Sequence, residues 1–439
     1  MPTYPDSFPA SRRLFERARK VMPGGNTRTT VFLDPFPIYA VRGEGCRVWD
    51  ADGQVFYDCI NNFTSMIHGY GQPEQVAEVA AQLPLGTAFG APTESEIELA
   101  ELLTGRLPAM DQIRFANSGT EGVMMAIKAA RAFTGRPKIV KIEGAYHGSY
   151  DFAEVSLDSA PGNWGDMPVS TAYARGTPAG VLADVIVVPF NDTEALRAVF
   201  SREGDTIAGV LIDPMPNRAG LIPARRDYLE EMTRIAHDAG ALVIFDEVIS
   251  FRLSHAGAQG LWGIRPDLTA LGKIIGGGFP VGAVAGRAEV MAVFDPTSGK
   301  PALPHGGTFT ANPVTMRAGL AAMRALTPAA FAHLDELGDM LRDGINAALA
   351  RLALPGRCVG LGSLFRVHFT AQPITDYRSV WPGPVEKRRL GAFHRGLLDR
   401  GVLSASYGLF ALSTPMTRGD AAEILSAIED TLGEIARQG

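Results

Sequence analysis

The chain has 439 residues, of which 46% are hydrophobic and 20% are charged, and these values suit a globular protein of two or three domains. Its net charge of −6 argues against a nucleic-acid-binding protein and against a polybasic membrane-binding surface. Three widely spaced cysteines, Cys46, Cys59 and Cys358, form neither a CxxC pair nor a zinc spacing, which predicts reduced, buried thiols in a cytoplasmic protein.

The N-terminal segment is charged and begins with a helix-like pattern. It has no apolar stretch typical of a signal peptide, and the longest apolar runs of the chain are too short or too broken to cross a bilayer. Further along, RVWDADGQVFYDCI (47–60) predicts a hairpin that turns at Asp52-Gly53.

The middle of the chain alternates short β-branched runs with helical patterns. IAGVLID (207–213) and ALVIFDEV (241–248) predict buried strands, and residues 225–240 between them predict an amphipathic helix. A strand–helix–strand unit implies a mainly parallel sheet covered by helices. Further strands are predicted at 138–142, 184–190 and 281–286. The apolar face of the helix consists of Leu229, Met232, Ile235 and Ala236.

The C-terminal part of the chain is dominated by helical patterns. Its long helices are predicted in MRAGLAAMRAL, FAHLDELGDMLRDGINAALARL and DAAEILSAIEDTLGEIARQG. We therefore expect an α/β protein with a large central domain (66–315) and a smaller α+β domain built from both termini (1–65 and 316–439).

The motif NSGTEG (117–122) precedes the helical string VMMAIKAARAF and places Ser118, Gly119 and Thr120 at a helix start. Free N–H groups and the positive end of the helix dipole favour an anion such as phosphate at such a position. Ordinary N-capping by Ser or Thr is the competing interpretation, and the motif alone does not decide between them.

Two further motifs lie at strand ends, where open α/β sheets bind ligands. In EGAYHG (143–148), Tyr146 can stack on a flat ring and His147 can donate a hydrogen bond, although a packed loop aromatic is an equally simple interpretation. Asp246 ends a very apolar strand, where a carboxylate is costly without a positive partner. A pyridinium N–H would be such a partner, and a structural aspartate bound to backbone or arginine is the alternative.

Lys273 stands in LGKIIGGG (271–278), beside a run of glycines. A nucleotide-binding P-loop is excluded, because no GxxxxGK[ST] pattern precedes the lysine and Ile274 stands where Ser or Thr would bind magnesium. A lysine that forms a Schiff base is the remaining chemical interpretation. A phosphate anchor, an aromatic residue, a carboxylate and a lysine in this order meet the needs of pyridoxal 5′-phosphate.

Together with PDLTALGKIIGGGFPVGAVAGR and GGTFTANPV, these motifs resemble the class III pyridoxal-phosphate-dependent aminotransferases. More narrowly, they resemble the branch of glutamate-1-semialdehyde aminomutase and the β-amino-acid aminotransferases. The resemblance runs from about residue 20 to the C-terminus and implies fold type I and a homodimer with shared active sites.

The resemblance also implies roles for individual residues. Lys273 would form the Schiff base and shuttle the proton, Asp246 would pair with the pyridine nitrogen, and Tyr146 would stack on the ring beside His147. The residues implied to hold the phosphate are Ser118, Gly119, Thr120 and, from the partner subunit, Thr308. Asp213 replaces a glutamate that is frequent in the family and is assigned to the cofactor site.

The substrate side is predicted from the same resemblance. Arg28 falls where this branch often binds the substrate carboxylate, and a surface or dimer-contact arginine is the alternative. INNFTSMIHGYG (60–71) offers Asn62, Phe63 and His68, and Tyr407 lies near where some relatives carry a second arginine. Departures from the family at DPMPNRAG (213–220), at Phe251 and at Tyr407 are expected to surround the substrate.

The leading functional prediction is an aminotransferase that moves an amino group from an amino acid, with β-amino acids as candidates, to a keto acceptor by a ping-pong Schiff-base mechanism. A 2,1-aminomutase of the glutamate-1-semialdehyde type is the alternative, with residues 157–180 as either a lid or a dimer-contact loop. An ammonia-lyase of the same family is a third possibility. A non-catalytic relative is disfavoured because Lys273 is present.

Overall fold

A computed structural model of the chain describes residues 3–107, 109–297 and 299–438. The helices are α1 (Pro9–Ala18), α2 (Asn61–Thr64), α3 (Pro73–Gln82), α4 (Glu94–Arg106), α5 (Gly119–Thr134), α6 (Asp151–Glu154), α7 (Ala179–Ala183), α8 (Thr193–Glu203), α9 (Arg226–Asp238), α10 (Gly257–Trp262), α11 (Ala288–Met291), α12 (Pro313–Ala325), α13 (Pro328–Arg351), α14 (Pro384–Asp399) and α15 (Arg418–Arg437). The strands are β1 (Ala40–Glu44), β2 (Arg47–Asp50), β3 (Val55–Asp58), β4 (Gln112–Ala116), β5 (Lys138–Ile142), β6 (Val185–Val188), β7 (Ile207–Ile212), β8 (Leu242–Asp246), β9 (Leu268–Gly272), β10 (Gly282–Gly286), β11 (Arg357–Leu361), β12 (Leu364–His368), β13 (Val402–Leu403) and β14 (Leu409–Ala411).

Seven strands form the central sheet, in the order β4-β10-β9-β8-β7-β5-β6. β10 runs antiparallel to both of its neighbours, and the other strands run parallel to one another. The predicted mainly parallel sheet is confirmed. β10 is the exception because the chain returns from β9 through a short loop, without the crossover helix that a parallel connection requires.

Helices cover both faces of this sheet, as its continuously apolar strands require. Along β8, Val243 and Phe245 pack in the cluster that contains the apolar face of α9, whereas Leu242 and Ile244 pack in the cluster beneath α5. The predicted face of α9 is buried, and the helix is followed by Gly240 at a φ of +70°. The sheet edge at the carboxyl ends of the strands is thus held rigidly between two apolar layers.

The smaller domain uses both ends of the chain, as predicted. The hairpin of β2 and β3 turns at the predicted Asp52-Gly53 and joins the four-stranded sheet β1-β2-β3-β13. β13 comes from the C-terminal part and pairs with β3 in parallel. A three-stranded sheet, β11-β12-β14, and the helices α13 and α15 complete this region. The boundaries at residues 65 and 315 stay a prediction.

The three cysteines are unpaired and buried. Within the described ranges, no helix combines the length and the apolar character that a bilayer crossing needs.

Candidate active site

The carboxyl ends of several strands of the central sheet meet at one cavity of about 360 Å³. The loop after β5 brings Tyr146 and His147 to this cavity, Asp246 is the last residue of β8, and Lys273 directly follows β9. The carboxyl ends of parallel strands meet at one edge of a sheet, so residues that are distant in the sequence become neighbours. We call this space the lysine cavity.

Lys273 has a φ of +52°, in the left-handed region that residues with a side chain rarely adopt. Its Nζ donates a hydrogen bond to Thr64 Oγ1 at 3.1 Å. Burial lowers the pKa of Lys273 to about 8, although the charges of Asp246 and Asp213 act in the opposite direction. A large fraction of the amine is therefore neutral near pH 8, as nucleophilic attack on an aldehyde requires.

Asp246 is buried and held by two donors. His147 Nδ1 donates to Asp246 Oδ2 at 2.7 Å, and the Val248 N–H donates to Oδ1 at 3.0 Å. Burial lowers the pKa of His147, which favours the neutral ring with its proton on Nδ1. An ionised carboxylate accepts about four hydrogen bonds, so Asp246 retains capacity for a further N–H donor.

Asp213 is a second buried carboxylate in the lysine cavity. Burial and then repulsion from Asp246 raise the pKa of Asp213 above its usual value. The Met215 N–H donates to Asp213 Oδ1 at 2.9 Å. Two neighbouring carboxylates resist joint ionisation unless a cation lies beside them. Protonated Lys273 is one such cation, and the protonated nitrogen of a pyridine ring would be another.

Ser118, Gly119 and Thr120 form the start of α5 and line the lysine cavity. Ser118 Oγ accepts the Glu121 N–H at 3.2 Å and so caps the helix, while Thr120 Oγ1 accepts the Ser149 N–H at 3.2 Å. Capping uses the Ser118 side chain and one N–H group. The remaining N–H groups of the first turn are free for an anion, so the two interpretations of this motif are compatible.

Glycines allow this helix start to lie directly on the sheet. A Cβ on Gly282 would come within 1.7 Å of the Ser118 carbonyl oxygen. A Cβ on Gly119 would come within 2.8 Å of Val248 Cγ1. The first turn of α5 therefore forms a cradle that packs closely on the sheet through the Ser118 backbone and the Val248 side chain, and its exposed N–H groups suit the close approach of a phosphate.

A second cavity, of about 630 Å³, adjoins the lysine cavity and shares Arg28, Asn62 and Gly278 with it. Arg28 is exposed; its Nη1 donates to Asn62 Oδ1 at 2.7 Å, and its guanidinium carbon lies 5.9 Å from the centroid of the Phe63 ring. Across the described ranges, no carboxylate forms an ion pair with Arg28. An oriented and unpaired guanidinium at this junction is well placed to bind a carboxylate.

Residues 30–432 match the family model for aminotransferase class-III. The chain belongs to the class III aminotransferase family. An ω-transaminase from Sphaerobacter thermophilus is a solved structure with 52% identity, 98% of both chains covered and a TM-score of 0.95. The β-phenylalanine transaminase of Variovorax paradoxus is 39% identical, over 98% of this chain and 94% of its own length. A glutamate-1-semialdehyde 2,1-aminomutase of Heliobacterium modesticaldum is 37% identical, over 98% of each chain. The predicted family and fold are confirmed, and solved relatives include proteins with pyridoxal 5′-phosphate bound.

In this class III aminotransferase, α2 is a single turn that links the two cavities. All of its residues have positive φ values, between 45° and 74°. Left-handed backbone costs roughly 1–2 kcal/mol per residue, so the surroundings must hold the turn in place. The turn presents Asn62 to Arg28 and Thr64 Oγ1 to Lys273. One short segment thus contacts both Arg28, at the second cavity, and Lys273.

Arg252 secures this turn, and the sequence analysis overlooked it. Its side chain is buried and donates from Nη1 to the Thr64 carbonyl at 2.9 Å, from Nε to Ser363 Oγ at 3.0 Å, and from Nη2 to the Leu412 carbonyl. A single arginine in the apolar string ISFRL was the available signal. Its three acceptors lie in distant parts of the chain, so no local pattern connects it with Lys273.

The expectation that Phe251 faces the substrate is wrong. Phe251 is 1% exposed and packs in the main apolar core, and it lines neither cavity. The 3-10 turn Ser250–Leu253 buries all of its residues, which directs the phenyl ring inward. The departure from the family pattern at Phe251 therefore changes the packing of the core beneath the lysine cavity.

Tyr407 lines the second cavity and not the lysine cavity. Its hydroxyl accepts a hydrogen bond from Asn217 Nδ2 at 3.1 Å. This bond joins the DPMPNRAG segment, which differs from the family pattern, to the C-terminal loop that carries Tyr407. Arg366, which the sequence analysis did not single out, lies 5.2 Å from the Tyr407 ring centroid and donates to the Tyr407 carbonyl at 3.1 Å. Arg366 also donates to the Asn217 carbonyl at 2.7 Å and lines neither cavity, so it supports Tyr407 from behind and is not exposed to a ligand.

The structure does not bring His68 to either large cavity. Its Nδ1 pairs with Thr414 Oγ1 at 2.9 Å and its Nε2 with the Ala322 carbonyl at 2.9 Å. The prediction that His68 faces the substrate is wrong, because both ring nitrogens are engaged between two packed segments. Residues 157–180 also line neither cavity, and their assignment as a lid stays a prediction.

Thr308 is exposed and lines neither cavity of its own chain. Its segment lies beside the start of α5, since Asn117 Nδ2 donates to Thr310 Oγ1 at 3.3 Å. The role of Thr308 at the phosphate of the partner subunit stays a prediction.

Proposed function

We propose that this class III aminotransferase is a transaminase whose amino donor carries a carboxylate and a bulky apolar side chain, as an aromatic β-amino acid does. The observation that carries the proposal is the position of Arg28 between the lysine cavity and the larger second cavity. Apolar residues supply much of the wall of the second cavity, among them Phe32, Leu33, Ile38, Leu398 and Leu403. A space of this size fits a drug-sized group better than the side chain of alanine.

The residues of the lysine cavity fit pyridoxal 5′-phosphate. When bound, the cofactor supplies an electron-withdrawing ring that stabilises negative charge at the carbon next to the transferred nitrogen. Asp246, oriented by His147, would keep the ring nitrogen protonated, and Tyr146 would cover one face of the ring. The cradle at the start of α5 would hold the phosphate.

Lys273 is the proton carrier in this proposal. Its Nζ, neutral to a large extent at pH 8, would take a proton from the substrate carbon that bears nitrogen and return it on the cofactor side of that nitrogen, before water cleaves the substrate carbon–nitrogen bond and releases the keto product. Thr64 Oγ1 orients the amine through the hydrogen bond at 3.1 Å. Arg28 holds the substrate carboxylate, and the keto product leaves before the keto acceptor enters.

An intramolecular 2,1-aminomutase is the second candidate. The 37% identity to such an enzyme over nearly the whole chain supports it. It differs from a transaminase in keeping both nitrogen and carbon skeleton in the site until the isomer leaves.

A single half-reaction tests the proposal. The protein loaded with pyridoxal phosphate is mixed with β-phenylalanine, with other α-, β- and γ-amino acids, or with 1-phenylethylamine, with no acceptor present. One keto product per site supports a transaminase, and the responding donor identifies its substrate class. Continuous ammonia release indicates a lyase, and conversion of glutamate-1-semialdehyde without a keto product indicates the aminomutase. Lys273→Ala is the matched control and should yield no product.

The proposal includes a homodimer in which each subunit contributes to the other's active site. The exposed Thr308 beside α5 and the half-exposed Tyr146 ring leave both available to a partner surface. Mixing Lys273→Ala with Thr308→Asp subunits tests the arrangement after confirmation of the dimer mass. If the partner's Thr308 serves the phosphate, an equimolar mixture regains about a quarter of wild-type activity, because random pairing makes about half of the dimers mixed and each mixed dimer has one intact site. If Thr308 acts within its own subunit, mixing restores nothing.

We also place the protein in the cytoplasm, where a reducing environment keeps thiols unpaired. Its three unpaired and buried cysteines support this assignment. Cell fractionation followed by immunodetection is the direct measurement.

A further inference from the structure

The loop that carries Tyr146 and His147 begins with a buried carboxylate. Glu143 follows β5 directly and is 3% exposed. It lies three residues before Tyr146 but lines neither cavity. A buried carboxylate needs a charged or hydrogen-bonding partner, so the partner of Glu143 determines where the loop starts.

Arg378 is that partner. Its Nε donates to Glu143 Oε2 at 2.7 Å and its Nη2 to Oε1 at 3.2 Å, while its Nη1 donates to the Gly165 carbonyl at 2.8 Å. The guanidinium carbon also lies 5.1 Å from the centroid of the Trp164 ring. Ser159 Oγ completes the set by donating to Glu143 Oε1 at 2.8 Å. A two-bond fork of this kind fixes orientation as well as distance.

The neighbouring Tyr377 confines the next residue of the loop. Gly144 has a φ of +69°, and a Cβ there would come within 2.0 Å of the Tyr377 ring. Tyr377 is 5% exposed, and its hydroxyl donates to the Ser159 carbonyl at 2.8 Å. Two consecutive residues, 377 and 378, thus hold two consecutive residues, 143 and 144.

The two pairs come from different parts of the fold. Tyr377 and Arg378 lie between β12 and α14, in the C-terminal region, whereas the loop they hold follows β5 of the central sheet. We infer that Arg378 and Tyr377 are positioning residues for the reaction: through Glu143 and Gly144 they fix the loop that presents Tyr146 and His147 to the cofactor. We call these contacts the Arg378–Glu143 latch. The inference rests on the proposed function.

Arg378→Gln is the primary test, and Arg400→Gln is its matched control. Arg378 and Arg400 have side chains that are 23% and 14% exposed, and each pairs with one glutamate. The partner of Arg400 is Glu434, on α15, away from the loop. Hydrogen exchange of the peptide that covers residues 143–148 is measured in the cofactor-free protein. The visible absorbance of the loaded protein, kcat and KM are then measured for each variant.

Arg378→Gln should accelerate exchange of residues 143–148 by at least about tenfold and shift the visible band, because the loop loses its fixed start. A misplaced cofactor contact should lower kcat by about 10- to 100-fold. KM for the donor should change little, since Arg28 is untouched. Arg378→Lys should recover only part of the loss, because an ammonium keeps the charge but lacks the fork.

Removal of Arg378 leaves a buried carboxylate without its cation and can prevent folding. Glu143→Gln therefore serves as the second variant, because the charge that it leaves unpaired is that of Arg378, whose side chain is 23% exposed, and not that of the buried carboxylate. It should give the same exchange and absorbance changes as Arg378→Gln. The inference is overturned if Glu143→Gln folds but matches Arg400→Gln in exchange, absorbance and kcat. A wild-type protein that takes up no cofactor would refute the proposed function instead, and the exchange result would still decide whether the latch orders the loop.

Discussion

Substitution of Arg28 by glutamine separates recognition of the donor carboxylate from the chemistry at Lys273. Glutamine keeps much of the length of the side chain and removes the charge. The contacts of Arg28 are a hydrogen bond to Asn62 at 2.7 Å and the Phe63 ring at 5.9 Å, and neither is a reacting group. The change therefore acts at the junction of the two cavities and leaves Lys273 and Asp246 in place.

The expected magnitude follows from the bond that is lost. A hydrogen bond to a charged group contributes about 1.5–3 kcal/mol, and each 1.4 kcal/mol is a factor of ten. For a donor with a carboxylate, kcat/KM should fall by about 10- to 150-fold in Arg28→Gln. For an amine without a carboxylate, kcat/KM should be unchanged, because such a donor has no group that binds the Arg28 guanidinium.

The assay compares β-phenylalanine with 1-phenylethylamine in wild-type and Arg28→Gln enzyme, with kcat/KM measured for both. The ratio of the two values cancels any loss of folded or cofactor-loaded protein. An equal fall for both donors, or no fall for either, refutes the assignment of Arg28 to the carboxylate.

Three further predictions concern the cofactor, the fold and pH. Asp246→Asn should lower kcat by roughly 10²- to 10³-fold, because it removes the negative charge aimed at the cofactor; stopped-flow measurement on protein that retains pyridoxal phosphate checks this. Gly144→Ala should lower the free energy of unfolding by about 1–3 kcal/mol more than Gly135→Ala in urea titrations. Both glycines have positive φ values, but only a Cβ on Gly144 would clash, with the ring of Tyr377, so equal losses would contradict the packing described. The pKa of Lys273, lowered to about 8 by burial, predicts that cofactor uptake by the apo-protein speeds up as pH rises through 8 and then levels off. A rate that is flat from pH 6 to pH 10 would be inconsistent with that assignment.

The sequence was sufficient to predict which residues meet at the lysine cavity. Asp246 and Lys273 stand at or just after predicted strands, and the strand-end rule brings such residues together without knowledge of the packing. Ser118 likewise stands at a helix start that the helical pattern of the residues directly after it predicts. The direction of β10 and the positive φ of Lys273 were not predictable, because both follow from a loop whose path depends on tertiary contacts.

The residues that sequence reasoning missed or misplaced are those with distant partners. Arg252 and Arg378 bind groups more than 100 positions away, and no local pattern identifies such acceptors. Phe251 and His68 were placed by their proximity to motifs, but burial and hydrogen bonding direct them elsewhere. The contacts of such residues can be predicted only when the segment that packs against them is known.

The cradle at the start of α5 has a consequence for how this enzyme can diversify. A Cβ on Gly282 would meet the Ser118 backbone and a Cβ on Gly119 would meet the Val248 side chain, so replacements at either glycine shift the chain or its packing against the sheet. The second cavity is lined by side chains on separate loops, such as Arg28, Phe63 and Tyr407. These side chains can be exchanged without moving the central sheet. A directed-evolution library restricted to those loops should therefore yield altered donor preference at unchanged cofactor affinity. A library at the glycines should yield mainly inactive clones.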